Sequence, residues 1–182
     1  LSFYSLVVIF GGPMSANDNE TYINEEIDFI KLIIKSNIPY LGICLGAQLL
    51  AKYLGSPITK HKNNLSEIGF YKIIPTKEGK ELFKNHSIFY QFHTEGFTTP
   101  AICTSLALGD KFMYQAFKFN RCYGFQFHPE VNFSMHLRWL FFVLLKNPLI
   151  LFKNDAQNIL YQIYLRIKYN KSMSSWLDNF LD

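Results

Sequence analysis

The 182-residue sequence is poor in cysteine: it has only three, Cys44, Cys103 and Cys122. Their number is odd, they lie far apart, and no C-x-x-C pair occurs. These features argue against a disulfide framework and against a zinc site. We therefore expect a protein of the reducing cytoplasm, with no metal centre built from its cysteines.

Charged residues are also scarce, at 18% of the chain, and the net charge is only +4. The lysines are scattered and form no run, so we expect no nucleic-acid-binding surface. Long hydrophobic runs are missing as well. The most apolar stretch, residues 139–145, is far shorter than the roughly 20 residues that span a bilayer, and no signal peptide is visible. We expect no contact with a membrane.

Apolar residues, by contrast, are abundant: 49% of the chain is hydrophobic and 17% is aromatic. That is enough for the core of one domain. Residues 6–10 and 39–44 are continuous apolar runs typical of strands covered on both faces. Helical periodicity after the first run and over residues 45–54 predicts two intervening helices. This order predicts an α/β fold with a parallel sheet.

The ends of these helices also have sequence signals. Asn17, Asp18 and Asn19 are candidate N-caps of the first helix, and Gly55 would end the second. Further strands are predicted at residues 68–74, 87–92, 104–108, 113–119 and 123–127, followed by helices from residue 134 onward. We expect His61 and His86 to be solvated and His136 to be exposed or hydrogen-bonded. The run from Trp139 to Phe142 is expected in the core, or alternatively at a partner surface.

The first motif with chemical content is Gly42-Ile43-Cys44-Leu45-Gly46, at a predicted strand-to-helix junction. A nucleophile in this context sits on a sharp turn, and glycines two residues to either side let the chain bend without a clash. The N-terminus of the following helix favours the thiolate over the thiol. The backbone N–H of Leu45 is placed to stabilise an oxyanion. On these residues alone, a buried structural cysteine is an equally good interpretation.

Two more motifs indicate catalytic residues when they are considered together with the cysteine motif. His128-Pro129-Glu130 ends an aromatic strand and offers an imidazole with a carboxylate to orient it, although an isolated His-x-Glu is usually a surface pair. Gly11-Gly12-Pro13 ends the first strand and makes the N–H of Gly12 a second oxyanion donor, although alone it would indicate an ordinary turn.

Together these motifs resemble the class I, or triad, glutamine amidotransferases, and within them a stand-alone, GMP synthase-like group. The resemblance extends to about residue 145 and more weakly to residues 176–180. It implies a three-layer α/β sandwich with a mostly parallel, flavodoxin-like central sheet and a small antiparallel region. Residues 1–145 would form the amidotransferase domain, and residues 146–182 its C-terminal helical extension. The motifs that carry the resemblance are GGPMS, GICLGAQ, EIGF, FHTE, QAF and YGFQFHPE.

The resemblance also implies roles for individual residues. Cys44 would be the nucleophile, His128 the general base and acid, and Glu130 the orienting carboxylate. The N–H groups of Gly12 and Leu45 would form the oxyanion hole. Glutamine would be the substrate, and ammonia would pass to a synthetase domain or subunit. The reaction needs no metal or organic cofactor. The glutamine pocket would be formed by Gln48, Phe92, His93, Thr94 and Glu95.

Three departures from the family pattern leave alternatives open. Thr94 stands where the family usually has glycine, and Gln91 where the stand-alone group often has histidine. A βαβ unit of about 30 residues or more is expected before the first strand, and only residues 1–5 precede it. The chain is therefore interpreted as a glutamine amidohydrolase, with a γ-glutamyl peptide or conjugate hydrolase, or an inactive truncated remnant, as alternatives. A homodimer is also possible.

Overall fold

The computed structural model describes residues 3–146, 148–152 and 155–182. The described residues include four α-helices, α1 Thr21–Lys35, α2 Leu45–Tyr53, α3 Phe133–Lys146 and α4 Ile159–Leu181, and one short 3-10 helix, Pro148–Phe152. The strands are β1 Val7–Ile9, β2 Tyr40–Ile43, β3 Ile58–Lys60, β4 Glu67–Lys72, β5 Ile74–Pro75, β6 Ile88–His93, β7 Glu95–Phe97, β8 Thr104–Leu108, β9 Tyr114–Phe119 and β10 Cys122–Phe125.

Six strands form the central sheet, in the order β1-β2-β10-β9-β8-β5. The strands β1, β2 and β10 are parallel, and β9, β8 and β5 continue the sheet in antiparallel pairing. Two small antiparallel pairs, β3–β7 and β4–β6, stand apart from it. The predicted α/β fold with a small antiparallel region is confirmed. Its parallel part is the part that carries the motifs.

Alternating side chains of β2 divide the core into two layers, because successive residues of a strand point to opposite faces. Tyr40 packs with α1 and α2 on one face. Leu41 and Ile43 pack on the other face with Trp176 of α4. Helices therefore cover both faces of the sheet, which is the predicted three-layer arrangement.

The predicted N-caps of α1 are wrong. The helix begins at Thr21, and its N-cap position is Glu20, whose side chain makes no capping hydrogen bond. Instead, Asp18 Oδ2 accepts from the Ser15 N–H at 2.9 Å, and Asn17 Nδ2 donates to the Ile58 carbonyl at 2.9 Å. These polar side chains hold the loop after β1. The predicted end of α2 is confirmed, since Gly55 follows the C-cap with φ +88°.

One other sequence-based expectation fails, for His86, and the apolar run on α3 lies only partly in the core. His86 is 7% exposed rather than solvated, and its ring lies edge-on to Phe89, with centroids 4.7 Å apart. Of the apolar run on α3, Leu140 is buried, but Phe141 and Phe142 are 65% and 60% exposed. Only one stripe of α3 faces the protein, and an apolar run longer than that stripe must continue into solvent.

Within the part of the chain that the structure describes, no helix combines the length and the apolar character needed to cross a membrane.

Candidate active site

Cys44 lies on a strained turn between β2 and α2. Its backbone angles are φ +50° and ψ −104°, a region that residues with side chains rarely adopt. A Cβ on Gly42 would lie 2.6 Å from the Gly46 backbone, and one on Gly46 would collide with the Ile9 carbonyl of β1. Both glycines are therefore required for the turn to form against the sheet, as the motif predicts.

Backbone hydrogen bonds hold this turn on both sides. The Cys44 N–H donates to the Phe125 carbonyl of β10 at 2.7 Å, and the Cys44 carbonyl accepts from Gln48 N at 3.0 Å. The Gln126 Nε2 group reaches the sulfur at 3.8 Å. Sequence reasoning missed Gln126. Its signal is a polar residue two positions before His128, hence on the same face of an otherwise aromatic segment.

His128 reaches the same edge of the sheet because β10 runs parallel to β2 and beside it. Its N–H donates to the Tyr90 carbonyl at 2.8 Å, and its Nδ1 lies 2.8 Å from Glu130 Oε1. The other ring edge faces the cysteine. A Cβ on Gly11 would lie 2.7 Å from His128 Cε1, 3.5 Å from Nε2 and 3.2 Å from Cys44 Cβ. The two side chains thus converge on one glycine.

The electrostatics of this cluster favour a charged imidazole. Burial lowers the pKa of His128, but the charges of Glu130 and Cys44, with hydrogen bonds to both, outweigh burial and raise that pKa to about 10. An imidazolium at neutral pH can stabilise a neighbouring thiolate and can donate a proton to a leaving group. Among the described residues, no three His, Cys, Asp or Glu side chains gather in a group able to hold a metal.

Every residue predicted for the oxyanion hole and the glutamine pocket lines one cavity of about 360 Å³ that opens at Cys44. This volume lies within the range of small-molecule sites, about 300–1,000 Å³. Thr94 is part of the wall and does not close the space. The predicted residues in the lining are Gly12, Leu45, Gln48, Phe92, His93, Thr94 and Glu95.

Glu95 makes contacts with three other residues in or near the wall of this cavity: Gln48, Ser15 and His93. Its carbonyl accepts from Gln48 Nε2 at 3.0 Å, and its carboxylate accepts from Ser15 Oγ at 2.7 Å. The same carbonyl lies 2.9 Å from His93 Nδ1. The Gln48 side chain therefore supports the pocket wall through the backbone of Glu95, a role the motif did not predict.

A buried polar network continues beneath the wall. His93 Nε2 lies 3.1 Å from both Glu67 Oε2 and Gln91 Oε1. Gln115 Nε2 donates to Glu67 Oε2 at 2.9 Å, and Gln91 Nε2 donates to Gln115 Oε1 at 2.6 Å. Gln91 is thus explained: it links His93 to Gln115. Since both ring nitrogens of His93 have protein partners, this residue is held rigidly in the wall.

A second cavity, of about 540 Å³, adjoins Cys44 on the side of His128. It is largely apolar. Its lining comprises Gly11, Gly12, Pro13, Cys44, Phe92, His128, Arg138, Trp139, Phe142 and Val143. Phe142 of α3 belongs to the linings of both cavities, as do Gly12, Pro13, Cys44, Phe92 and Val143.

Comparison with known proteins agrees with this geometry. The family model described as glutamine amidotransferase class-I matches residues 2–147. The chain is 33% identical to a GMP synthase [glutamine-hydrolyzing] subunit from Sulfurisphaera tokodaii over 137 residues, which cover 72% of this chain and 70% of that protein. It is also 33% identical to GMP synthase [glutamine-hydrolyzing] of Chlamydia muridarum over 141 residues, covering 72% of this chain but only 26% of that protein.

The chain thus spans about a quarter of the length of the GMP synthases it matches and more than two thirds of the subunit-type relative. A solved glutamine amidotransferase from Thermotoga maritima superposes with a TM-score of 0.87 and 32% identity, covering 100% of this chain and 78% of that one. By the family match over most of its length, and by these relatives, the chain belongs to the class I glutamine amidotransferases.

Proposed function

We propose that the protein hydrolyses the side-chain amide of glutamine, with Cys44, His128 and Glu130 as its catalytic triad. The observation that carries the proposal is the strained Cys44 turn, which faces a His128–Glu130 pair at the mouth of a substrate-sized cavity. A nucleophile, a base and an orienting carboxylate in this relation are the components of covalent acyl transfer.

In the first half-reaction, the Cys44 thiolate attacks the carbonyl carbon of the glutamine side chain. The backbone N–H groups of Gly12 and Leu45 stabilise the negative charge on the carbonyl oxygen. The C–N bond then breaks, His128 gives its proton to the departing nitrogen, and ammonia leaves. A γ-glutamyl thioester remains on Cys44, and His128 is left neutral.

In the second half-reaction, His128 accepts a proton from a water molecule as its oxygen attacks the thioester. The C–S bond breaks, glutamate is released, and the thiolate–imidazolium pair is restored. Glu130 holds Nδ1 throughout and stabilises the imidazolium each time it forms. The reaction consumes water and glutamine and yields glutamate and ammonia, with no redox step.

The first cavity supplies groups suited to the rest of the substrate. Glu95 offers a carboxylate to the α-ammonium group, and Lys146, at the rim, offers a cation to the α-carboxylate. Phe92 and Leu45, which also line the cavity, offer apolar surface to the aliphatic part of the substrate. Because a GMP synthase subunit is among the relatives, we propose that the ammonia is delivered to a synthetase partner.

The test is to incubate the purified protein with glutamine and to measure ammonia and glutamate. Release is expected in equal amounts and should fall to background in Cys44→Ala. The matched control is Cys103→Ser, which changes a half-buried cysteine outside the site and should leave the rate unchanged. Folded protein that releases no more ammonia than Cys44→Ala would instead indicate a catalytically inactive member of the family.

The second cavity favours one other candidate, the hydrolysis of γ-glutamyl amides. Its apolar lining beside His128 would accommodate a bulky amine leaving group, which ammonia does not need. The test compares kcat/KM for glutamine with kcat/KM for a γ-glutamyl amide of an aromatic amine. A kcat/KM more than about tenfold higher for the aromatic amide would overturn glutamine as the preferred substrate.

A further inference from the structure

The two cavities that meet at Cys44 differ in the groups that line them. Glu95 and Lys146, which suit the charged ends of an amino acid, line only the first cavity. His128 lines only the second, whose volume is about 540 Å³. When a γ-glutamyl group is bound to Cys44 and fills the first cavity, the second cavity is therefore the space from which a nucleophile reaches both the thioester and the base.

The wall of the second cavity beside His128 is aromatic. The Trp139 ring lies edge-on to the His128 ring, with centroids 5.0 Å apart, and its centroid is 6.2 Å from that of Phe92. Phe142, which also lines this cavity, is 60% exposed. An apolar surface gains free energy when it covers an apolar group, whereas it holds water weakly. Water and ammonia, the small molecules of glutamine hydrolysis, make no use of such a wall.

One cationic side chain adds a second recognition element. Among the described residues that line the second cavity, Arg138 is the only arginine or lysine, and it neighbours Trp139 on α3. A guanidinium binds carboxylates through charge-assisted hydrogen bonds. The cavity therefore suits a molecule with an apolar ring and a carboxylate. A molecule that also has an amino group can replace water as the nucleophile, and aromatic amino acids have all three groups.

We propose that the protein also transfers the γ-glutamyl group from Cys44 to the α-amino group of an aromatic amino acid bound in the second cavity. The proposal rests on the proposed function, since both reactions use the same thioester. Arg138 binds the carboxylate of the acceptor, and Trp139 and Phe142 contact its ring.

The transfer step balances without a further reactant. The uncharged amino nitrogen of the acceptor attacks the carbonyl carbon of the thioester, and His128 accepts one of its protons. The C–S bond breaks, and its electron pair returns to sulfur as the Cys44 thiolate. The product is a γ-glutamyl dipeptide, formed in place of the glutamate that attack by water would give.

The test measures how the thioester divides between water and the acceptor. Wild-type protein is incubated with glutamine and either phenylalanine or alanine, at a mildly alkaline pH that leaves more of the amino group uncharged. Mass spectrometry gives the ratio of γ-glutamyl dipeptide to glutamate. Because both products arise from one thioester, this ratio does not depend on how fast the thioester forms. At equal concentrations below saturation, the ratio should be at least about tenfold higher for phenylalanine, which has the ring that alanine lacks.

Variants of exposed residues on α3 assign the acceptor to the second cavity. Arg138→Met should lower the ratio for phenylalanine at least about threefold and leave that for phenylalaninamide, which has no carboxylate, within about twofold. Phe142→Ala should lower the ratio for phenylalanine at least about threefold and leave that for alanine within about twofold. The matched controls Arg121→Met and Phe141→Ala change exposed residues outside both cavity linings and should keep the wild-type ratios. Circular dichroism checks folding.

A ratio for phenylalanine no higher than that for alanine would overturn the proposal without the use of any variant. Folded cavity variants that behave like their controls would overturn it too, as would glutamine hydrolysis with no dipeptide above the level of Cys44→Ala. If glutamine releases no ammonia, the γ-methyl ester of glutamate replaces it as donor. Dipeptide formed from the ester would then refute the proposed function and support the transfer reaction, and its absence would refute both.

Discussion

At the scale of single residues, Gly11 lies where the side chains of Cys44 and His128, the proposed nucleophile and base, approach each other. A methyl group there would lie within 2.7 Å of the His128 ring and 3.2 Å of Cys44 Cβ. We predict that Gly11→Ala lowers kcat at least about tenfold, because a displacement of about 1 Å between reacting groups is that costly. Steady-state kinetics with glutamine measure the effect.

The control for this substitution is Gly55→Ala, the same change at a position with no atom within 4 Å of the new methyl group. Its φ of +88° makes the change cost roughly 1–2 kcal/mol of stability. Activity should nevertheless stay at the wild-type level. Loss of activity in both variants, in proportion to lost stability, would mean that Gly11 has no special relation to the site.

At the scale of elements, α4 is held to the sheet by an aromatic cluster around Trp176. Its ring stacks on Phe83 with centroids 5.4 Å apart, and its Nε1 donates to the Leu82 carbonyl at 2.8 Å. We predict that Trp176→Ala lowers the free energy of unfolding by about 3–5 kcal/mol, as expected for deleting a buried aromatic side chain. Denaturant titration gives the value.

A second alanine substitution in α4, at an exposed position, separates the effect of packing on stability from the effect of helix propensity. Leu160→Ala removes a side chain that is 77% exposed, so it should change the unfolding free energy by no more than about 0.5 kcal/mol. Similar losses in both variants would contradict the view that α4 is held to the sheet by its buried side chains.

The sequence predicted those elements whose hydrophobic pattern is long or whose turn chemistry is specific. The strands and helices from β1 to α2 have continuous apolar runs or helical periodicity. The Cys44 turn has glycines at positions where close backbone contacts leave no room for a Cβ. By contrast, β3 and β7 have three residues each, too few for a period to appear. They pair with each other, and Asn17 and Gln48 each donate a hydrogen bond to the backbone of one of them.

Buried polar residues were the other failure of sequence reasoning. Gln126, Glu67 and Arg166 look like surface residues in the sequence, because polar side chains are mostly exposed. Their burial depends on partners far along the chain, such as His93 for Glu67, 26 residues away. Local patterns carry no information about such partners. The residues proposed for the triad were therefore recognisable from their motifs, and the buried polar groups near them were not.

At the scale of the whole molecule, two buried histidines set opposite pH limits on stability. His128 has a folded pKa of about 10, above its ordinary 6.5, so its contribution is complete below pH 6.5 and is lost as the pH rises toward 10. His136 has a folded pKa of about 4, so its penalty is absent above pH 6.5 and grows as the pH falls toward 4.

We therefore predict that the free energy of unfolding is greatest near pH 6.5 and declines on both sides. Glu130→Gln should flatten the decline between about pH 6.5 and 9, and His136→Gln the decline between about pH 4 and 6.5. Measurements should stop at about pH 9, because the thiols of Cys103 and Cys122 ionise above that in the unfolded chain. A profile that is flat across this range in the wild type would contradict both assignments.

The position of β10, between β2 and β9 although it is the last strand in the chain, has a consequence for biosynthesis. Cys44 is therefore translated before His128 and before the strand that positions it. Nascent chains and products that terminate between these two residues therefore contain Cys44 without His128, the residue proposed as its general base and acid. The parallel pairing of β10 with β2, which brings His128 to the edge of the sheet that carries Cys44, can form only after β10 has been translated.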